Sequence, residues 1–110
     1  MRKKIVLGLK QNPTLADFQR YVREMVHERG FEKETIEQVF ILFLEECGEM
    51  AKAVRKSSGI HTDKNSKTHE VEHEIADVFI YLLNIANHFN IDLEQAFREK
   101  EEINKKRVWN

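Results

Sequence analysis

The chain contains few residues that interrupt a helix. Its 110 residues include one proline, Pro13, and four glycines. Because proline and glycine are the strongest local breaks in regular structure, long helices can form between them. Hydrophobic residues make up 41% of the chain and charged residues 34%, a composition typical of folded proteins. We therefore expect one all-α domain over residues 1–110, since domains most often contain ~100–150 residues.

Capping signals and apolar periodicity predict about four helices. Thr14, Thr35 and Asp92 are each followed three residues later by Asp or Gln, which suits a helix N-terminus. Apolar residues then recur every three or four positions. The predicted helices follow Thr14 up to Gly30, Thr35 up to about Ser57, Thr68 up to Asn90, and Asp92 up to about Arg107.

Other segments are assigned by their lack of helical pattern. Residues 57–67 are polar and aperiodic, which predicts a loop. Residues 1–12 contain a strand-like KIVLGL without an evident partner strand, and they stay unassigned. The apolar runs 39–44 and 78–83 could be buried strands, but both lie inside longer helical patterns, so helix is favoured.

Charge and cysteine content exclude several classes of partner and site. The net charge is −1, so no overall basic field attracts nucleic acid or an anionic membrane. The apolar runs are far shorter than the ~18–20 residues of a membrane span. Cys47 is the only cysteine, which excludes an intramolecular disulfide and a cysteine-based zinc site. The apolar stretch after Met1 is too short for a signal peptide, so we expect a cytoplasmic protein.

Two acidic residues interrupt the apolar stripe of the second helix. Leu42, Glu46, Glu49 and Ala53 follow one another in steps of four, three and four, which places them on one helix face. Residues three apart on a helix have Cβ atoms roughly 5–6 Å apart, so both carboxylates of this face can reach one cation.

The third helix repeats the same spacing with Glu70, Glu74, Asp77 and Tyr81. If the two helices pack face to face, Glu46, Glu49, Glu74 and Asp77 converge. Clustered acids in an apolar seam are costly, because desolvation and like-charge repulsion both oppose ionisation. A hard divalent cation removes that cost, and oxygen-only ligands favour Mg²⁺ or Mn²⁺ over zinc. The alternative is that these residues are exposed acids on a charged surface. Two acid pairs in apolar seams of separate helices favour the metal site over this alternative.

These motifs carry a resemblance to a known family. Glu46-Cys-Gly-Glu49 and Glu74-Ile-Ala-Asp77 resemble the ExxE and ExxD motifs of the MazG-like all-α nucleoside triphosphate pyrophosphohydrolases. The similarity covers about residues 15–109 and includes a K-x3-N-x2-R spacing formed by Lys100, Asn104 and Arg107.

The resemblance implies a four-helix-bundle-type fold that is completed by formation of a homodimer or homotetramer. It also implies Mg²⁺-dependent cleavage of a nucleoside or deoxynucleoside triphosphate to the monophosphate and pyrophosphate, as in house-cleaning of nucleotide pools; Mn²⁺ is an alternative ion. Its implied metal ligands and catalytic residues are Glu46, Glu49, Glu74 and Asp77.

Candidate phosphate-binding residues follow the acids. Lys52 and Arg55 lie one to two turns beyond them, although a solvated helix C-terminus favoured by the macrodipole explains these cations equally well. The resemblance adds Lys100, Asn104 and Arg107.

Three further features leave alternatives open. Glu70 and His73 form an ExxH, an element of di-iron bundles, but the only second ExxH is Glu24 to His27, outside any acid-lined seam. A non-catalytic helical partner-binding module would explain the amphipathic helices without explaining the acids. Gly48 in mid-helix predicts close approach of another helix or of a ligand.

Overall fold

A computed structural model describes residues 7–59 and 70–109 of the chain. These residues form four α-helices and contain no strand, which confirms the all-α prediction. Residues 1–6, Thr68 and the part of the predicted loop over 60–67 lie outside the described residues. The helices are α1 (Leu15–Glu28), α2 (Ile36–Ser57), α3 (Val71–His88) and α4 (Leu93–Lys105).

Side-chain caps begin three of the helices where the sequence predicts them. The Thr14 hydroxyl accepts a hydrogen bond from the Asp17 backbone N–H at 3.2 Å, and the Asp17 carboxylate accepts from the Thr14 N–H at 2.8 Å. Such a reciprocal capping box satisfies two backbone donors that a helix start would otherwise leave unpaired. Thr35 forms the same box at α2, and the Asp92 carboxylate caps α4.

A residue in the left-handed conformation follows α1, α2 and α3, and the hydrogen bonds beyond it are described at the ends of α1 and α3. Gly30 has a φ of +77°, and the next residue, Phe31, donates its N–H to the Val26 carbonyl at 2.8 Å. Asn90, with a φ of +53°, ends α3 in the same way. Both ends have the Schellman pattern, in which backbone donors beyond the helix satisfy its last carbonyls.

The chain divides into two compact units, and the first contains Met1–Lys33 and Ala86–Asn110. Val22 and Met25 of α1 are buried in it, together with Ala86.

A buried glutamine organises the hydrogen bonds of this first unit. The Gln19 side-chain amide donates to the Asn87 side-chain oxygen at 3.1 Å and to the Ile91 carbonyl at 2.7 Å. Its own oxygen accepts from the Leu93 N–H at 3.0 Å, and Asn87 donates back to the Gln19 carbonyl at 2.9 Å. Gln19 thus links α1 to the end of α3 and to the start of α4.

The second unit, Glu34–Ile85, contains α2 and most of α3. Val39, Ala53 and Leu83 are buried, but several large apolar side chains of α2 remain exposed. Apart from Gly48 itself, its two chain neighbours and the nearby backbone of its own helix, no described atom lies within 4 Å of where a Cβ would stand on Gly48. The close helix approach predicted at this glycine is therefore absent from the described part of the chain.

None of the helices in the described segments is both long and apolar enough to cross a bilayer.

Replacement of Gln19 by Leu tests the hydrogen-bond network of the first unit. The substitution keeps the side-chain volume but leaves the Leu93 N–H and the Ile91 carbonyl without their partner, so we expect a loss of about 2–3 kcal/mol in unfolding free energy. Gln95→Leu is the control, because the Gln95 side chain donates its hydrogen bond to the exposed Glu99 on the same helix and takes no part in the Gln19 network. Urea unfolding of both variants decides the matter, and equal stabilities would show that the network contributes nothing.

Candidate metal centre

Three acidic side chains meet within the second unit. Glu46 of α2 and Glu74 and Asp77 of α3 each offer a carboxylate oxygen, and these atoms lie within 4.8 Å of one another. Glu46 and Glu74 are half-buried, whereas Asp77 is exposed. We call these three residues the acid cluster.

Helical spacing explains why residues from two helices can form this cluster. Glu74 and Asp77 are three residues apart on α3, so their side chains leave the same face one turn apart. Glu46 lies on the face of α2 that also contains Leu42 and the fully buried Ala53. The apolar residues on either side thus fix the direction in which this acid points.

The electrostatics of the acid cluster oppose full ionisation. The pKa of the Glu46 carboxyl is raised above its ordinary value, first by desolvation and then by the charges of nearby acids. Those acids are, in decreasing order of effect, Asp77, Glu74, Glu49 and Glu45. At neutral pH the cluster therefore concentrates negative charge at a partly desolvated point, which is the environment that a cation stabilises.

The other two acids of the predicted stripes lie differently. Glu49 is half-buried and close enough for its charge to raise the pKa of Glu46, but it is not one of the three residues of the cluster. Glu70 is exposed, and its carboxylate lies 3.1 Å from His73 Nδ1, an ion pair when the histidine is protonated. The Glu70 carboxylate therefore has His73 as its partner at the start of α3.

Tyr81 borders the acid cluster. Desolvation and, next, the charge of Glu46 raise the pKa of the Tyr81 hydroxyl, followed by smaller effects of other acids that include Asp77. The phenol thus keeps its proton at neutral pH and remains a hydrogen-bond donor. The sequence placed Tyr81 on the acid-bearing face by its spacing, but it assigned no chemical role to the hydroxyl.

The dimensions of the acid cluster suit a hard divalent cation. Mg²⁺ binds oxygen at roughly 2.0–2.1 Å, so ligands on opposite sides of the ion lie about 4.2 Å apart. Carboxylate oxygens within 4.8 Å reach that separation by small side-chain rotations. The donor set contains oxygen alone, which favours Mg²⁺ or Mn²⁺ over softer metals.

The candidate phosphate-binding residues fall into two groups. Lys52 and Arg55 lie on the last two turns of α2, in the same unit as the acid cluster. Lys100 and Asn104 lie one turn apart on α4, and Arg107 follows the helix end at Lys105. Within this second group the structure brings two members together, because the Arg107 N–H donates to the Asn104 carbonyl at 3.1 Å.

Among the residues that the structure describes, the acid cluster contains only Glu and Asp side chains and no histidine. His73 instead pairs with Glu70 at the exposed start of α3. This arrangement disfavours the di-iron alternative, which requires a histidine ligand beside each glutamate pair.

The fold and the acid cluster define an all-helical protein with a site suited to a hard cation. A profile of the MazG nucleotide pyrophosphohydrolase domain matches residues 34–108, about two thirds of the chain. The chain therefore belongs to the MazG nucleotide pyrophosphohydrolase domain family. No curated protein matches the chain.

The Glu46→Gln variant tests the electrostatics of the metal-free cluster. Because the pKa of Glu46 is raised in the folded state, the folded state binds more protons than the unfolded state between the two pKa values. The free energy of unfolding therefore falls as pH rises above 4.5, the ordinary pKa of glutamate. Glu46→Gln removes that dependence. In EDTA at pH 7 we expect the variant to melt at the same temperature as the wild type or higher, and the difference to vanish near pH 4.

Thermal melts with and without Mg²⁺ complete this test. Saturating Mg²⁺ should raise the melting temperature of the wild type more than that of Glu46→Gln, because a ligand stabilises the state that binds it. Glu72→Gln, which alters an exposed acid of α3 outside the acid cluster, serves as control and should keep the wild-type response. A Glu46→Gln protein that is clearly less stable in EDTA would mean that Glu46 is a structural acid.

Proposed function

We propose that this chain hydrolyses a nucleoside or deoxynucleoside triphosphate to the monophosphate and pyrophosphate in a Mg²⁺-dependent reaction, with Mn²⁺ as an alternative ion. The observation that carries the proposal is the acid cluster of Glu46, Glu74 and Asp77, in a chain that belongs to the MazG nucleotide pyrophosphohydrolase domain family. Removal of unwanted nucleotides from the cytoplasmic pool is the physiological role that fits this reaction.

The charge of the chain supports a metal-bridged substrate. A triphosphate carries about four negative charges, and a protein with a net charge of −1 cannot attract it through a long-range field. The same charge argues against nucleic acid as a partner. Bound Mg²⁺ supplies the positive charge that neutralises the phosphate chain and the leaving pyrophosphate.

The residues of the chain take separate roles in this proposal. Glu46, Glu49, Glu74 and Asp77 are the proposed metal ligands and catalytic residues, and oxygens of Glu46, Glu74 and Asp77 lie within 4.8 Å of one another. Glu49, one turn beyond Glu46, also orients the attacking water and accepts its proton in this proposal.

Cations complete the substrate site in this proposal. Lys52 and Arg55 follow the acids on α2 and bind phosphate oxygens, with Arg55 offering the planar donor set that matches a phosphate. The family motif adds Lys100, Asn104 and Arg107 as further phosphate-binding residues in this proposal. In this proposal, other side chains recognise the base and the sugar.

We also propose that the chain works as a homodimer or homotetramer in which α2 packs on the α2 of a second copy. Phe40 and Leu44 are four residues apart on one face of α2, and they are 49% and 55% exposed. Ala51 continues this face after a further two turns, and it is also exposed. Burial of such a face is favourable, and an exposed apolar stripe of this length is typical of an interface.

Charge favours an antiparallel pairing of the two α2 helices. The exposed acids Glu37 and Glu45 lie in the first half of α2, whereas Lys52 and Arg55 lie in its second half. Antiparallel packing places each acidic half beside a basic half and aligns the helix dipoles favourably. Gly48 lies near the middle of α2 with open space above it, which permits close approach of the second helix.

Product analysis tests the proposed reaction. All ribonucleoside and deoxyribonucleoside triphosphates are incubated with the protein and Mg²⁺, and the products are separated by ion-exchange chromatography. We expect equal amounts of monophosphate and pyrophosphate from at least one substrate, and none in EDTA. Diphosphate with orthophosphate as the first products would contradict the proposal, because the terminal phosphate would then be the one removed.

The Leu44→Glu variant tests the proposed interface. The wild type, whose chain has a mass of 13.1 kDa, should elute with at least twice that mass in light-scattering chromatography. Leu44→Glu should elute with a smaller mass than the wild type, as a monomer in place of a dimer or as a dimer in place of a tetramer, because two glutamates cannot be buried between apolar helix faces. Ile103→Glu is the matched control, since Ile103 is equally exposed but lies on α4. A Leu44→Glu protein that elutes with the wild-type mass would place the interface elsewhere.

A further inference from the structure

The residues after α4 form a compact arrangement around the only tryptophan of the chain. The Trp109 indole N–H donates to the Asn104 carbonyl at 3.4 Å. The guanidinium carbon of Arg107 lies over the indole ring, 4.5 Å from its centroid. We call Asn104, Arg107 and Trp109 the α4 hook.

The Asn104 carbonyl is the fixed point of the α4 hook. It accepts a hydrogen bond from the Arg107 backbone N–H at 3.1 Å and a second one from the Trp109 indole. Asn104 belongs to the last turn of α4, whereas Arg107 lies beyond the helix end at Lys105. The indole therefore attaches a residue outside the helix to the helix itself.

A guanidinium that stacks on an aromatic ring keeps its hydrogen-bond donors available. The contact with the ring occupies one side of the group, so N–H donors among its five that point away from the ring stay available to an anion. An exposed arginine otherwise samples many rotamers, and this freedom is lost when it binds an anion. Contact with the indole removes part of that freedom before any ligand arrives, so the arginine is better prepared to bind phosphate.

We propose that Trp109 is a positioning residue that orients the Arg107 guanidinium for the phosphate chain of the nucleotide. This inference rests on the proposed function, in which Arg107 binds phosphate. Trp109 itself, 68% exposed, contributes through the arginine on its ring and not through contact with the substrate.

A double-mutant cycle tests whether Trp109 acts through Arg107. Binding of pyrophosphate with Mg²⁺ is measured by calorimetry for the wild type, Trp109→Ala, Arg107→Ala and the double variant. We expect Trp109→Ala to raise Kd about two- to fivefold, the range of an exposed cation–π contact. Arg107→Ala should raise it about tenfold or more. The double variant should bind like Arg107→Ala alone, because the indole then has no guanidinium to position.

Three single substitutions separate positioning from general packing. Trp109→Phe keeps an aromatic face and should restore most of the affinity, whereas Trp109→Leu should bind as weakly as Trp109→Ala. Val108→Ala, at an exposed neighbouring position, should bind like the wild type. Equal losses for Trp109→Ala with and without Arg107, or a lower melting temperature with unchanged Kd, would overturn the proposal.

Tryptophan fluorescence reports the same contact directly, because the chain has no second tryptophan. Pyrophosphate with Mg²⁺ should change the emission of the wild type and leave that of Arg107→Ala unchanged; identical responses would count against the proposal. In activity assays, Trp109→Ala should raise KM with little change in kcat. If no nucleotide is hydrolysed but the binding cycle is non-additive, the proposed catalysis fails while the positioning role stands. If a nucleotide is hydrolysed but the binding cycle is additive, the proposed catalysis stands and the positioning role of Trp109 fails.

Discussion

Repulsion among three carboxylates is the interaction on which the proposed site depends. The oxygens of Glu46, Glu74 and Asp77 lie within 4.8 Å of one another, and desolvation raises the pKa of Glu46 further. Such an arrangement lowers the stability of the metal-free protein, and selection retains costly clusters of this kind where function requires them. A divalent cation bound by these carboxylates would relieve the repulsion, because each carboxylate would serve as a ligand.

The helices provide what such a cluster needs, which is two rigid elements with fixed faces. α2 and α3 are long, and the capping box at Thr35 defines the first residue of α2. The start of α2 sets the rotation of every later residue around the helix axis, so a cap eleven residues away helps to place Glu46. Apolar residues of the same helices remain exposed, and for this reason we propose that a second copy covers them.

Local signals in the sequence predicted most of the fold. The starts at Thr14, Thr35 and Asp92 and the end at Gly30 depend on hydrogen bonds between residues close in sequence, and the structure contains each of them. The pairing of Gln19 with Asn87 joins residues 68 positions apart, and no local pattern reveals such a contact. The stack of Arg107 on Trp109 lies beyond α4, where helical periodicity no longer applies.

The candidate site also has a part that local spacing predicts and a part that depends on distances between helices. Spacing alone placed four acids on the facing stripes of two helices, because residues three apart share a helix face. Spacing does not measure distances between helices, so it treated Glu49 and Glu46 as equivalent, whereas only Glu46 belongs to the acid cluster. The effect of Glu46 on the Tyr81 hydroxyl likewise depends on a distance between helices that periodicity does not contain.

Direct measurement of Mn²⁺ binding tests the central claim, which is that the acid cluster holds a divalent cation. Electron paramagnetic resonance counts the free ion in solution as protein is added, so it requires no substrate and no turnover. We expect the wild type to bind Mn²⁺, Glu74→Gln and Asp77→Asn to bind it at least about tenfold more weakly, and the exposed-acid control Glu72→Gln to match the wild type. Unchanged Mn²⁺ affinity in both Glu74→Gln and Asp77→Asn would contradict the account.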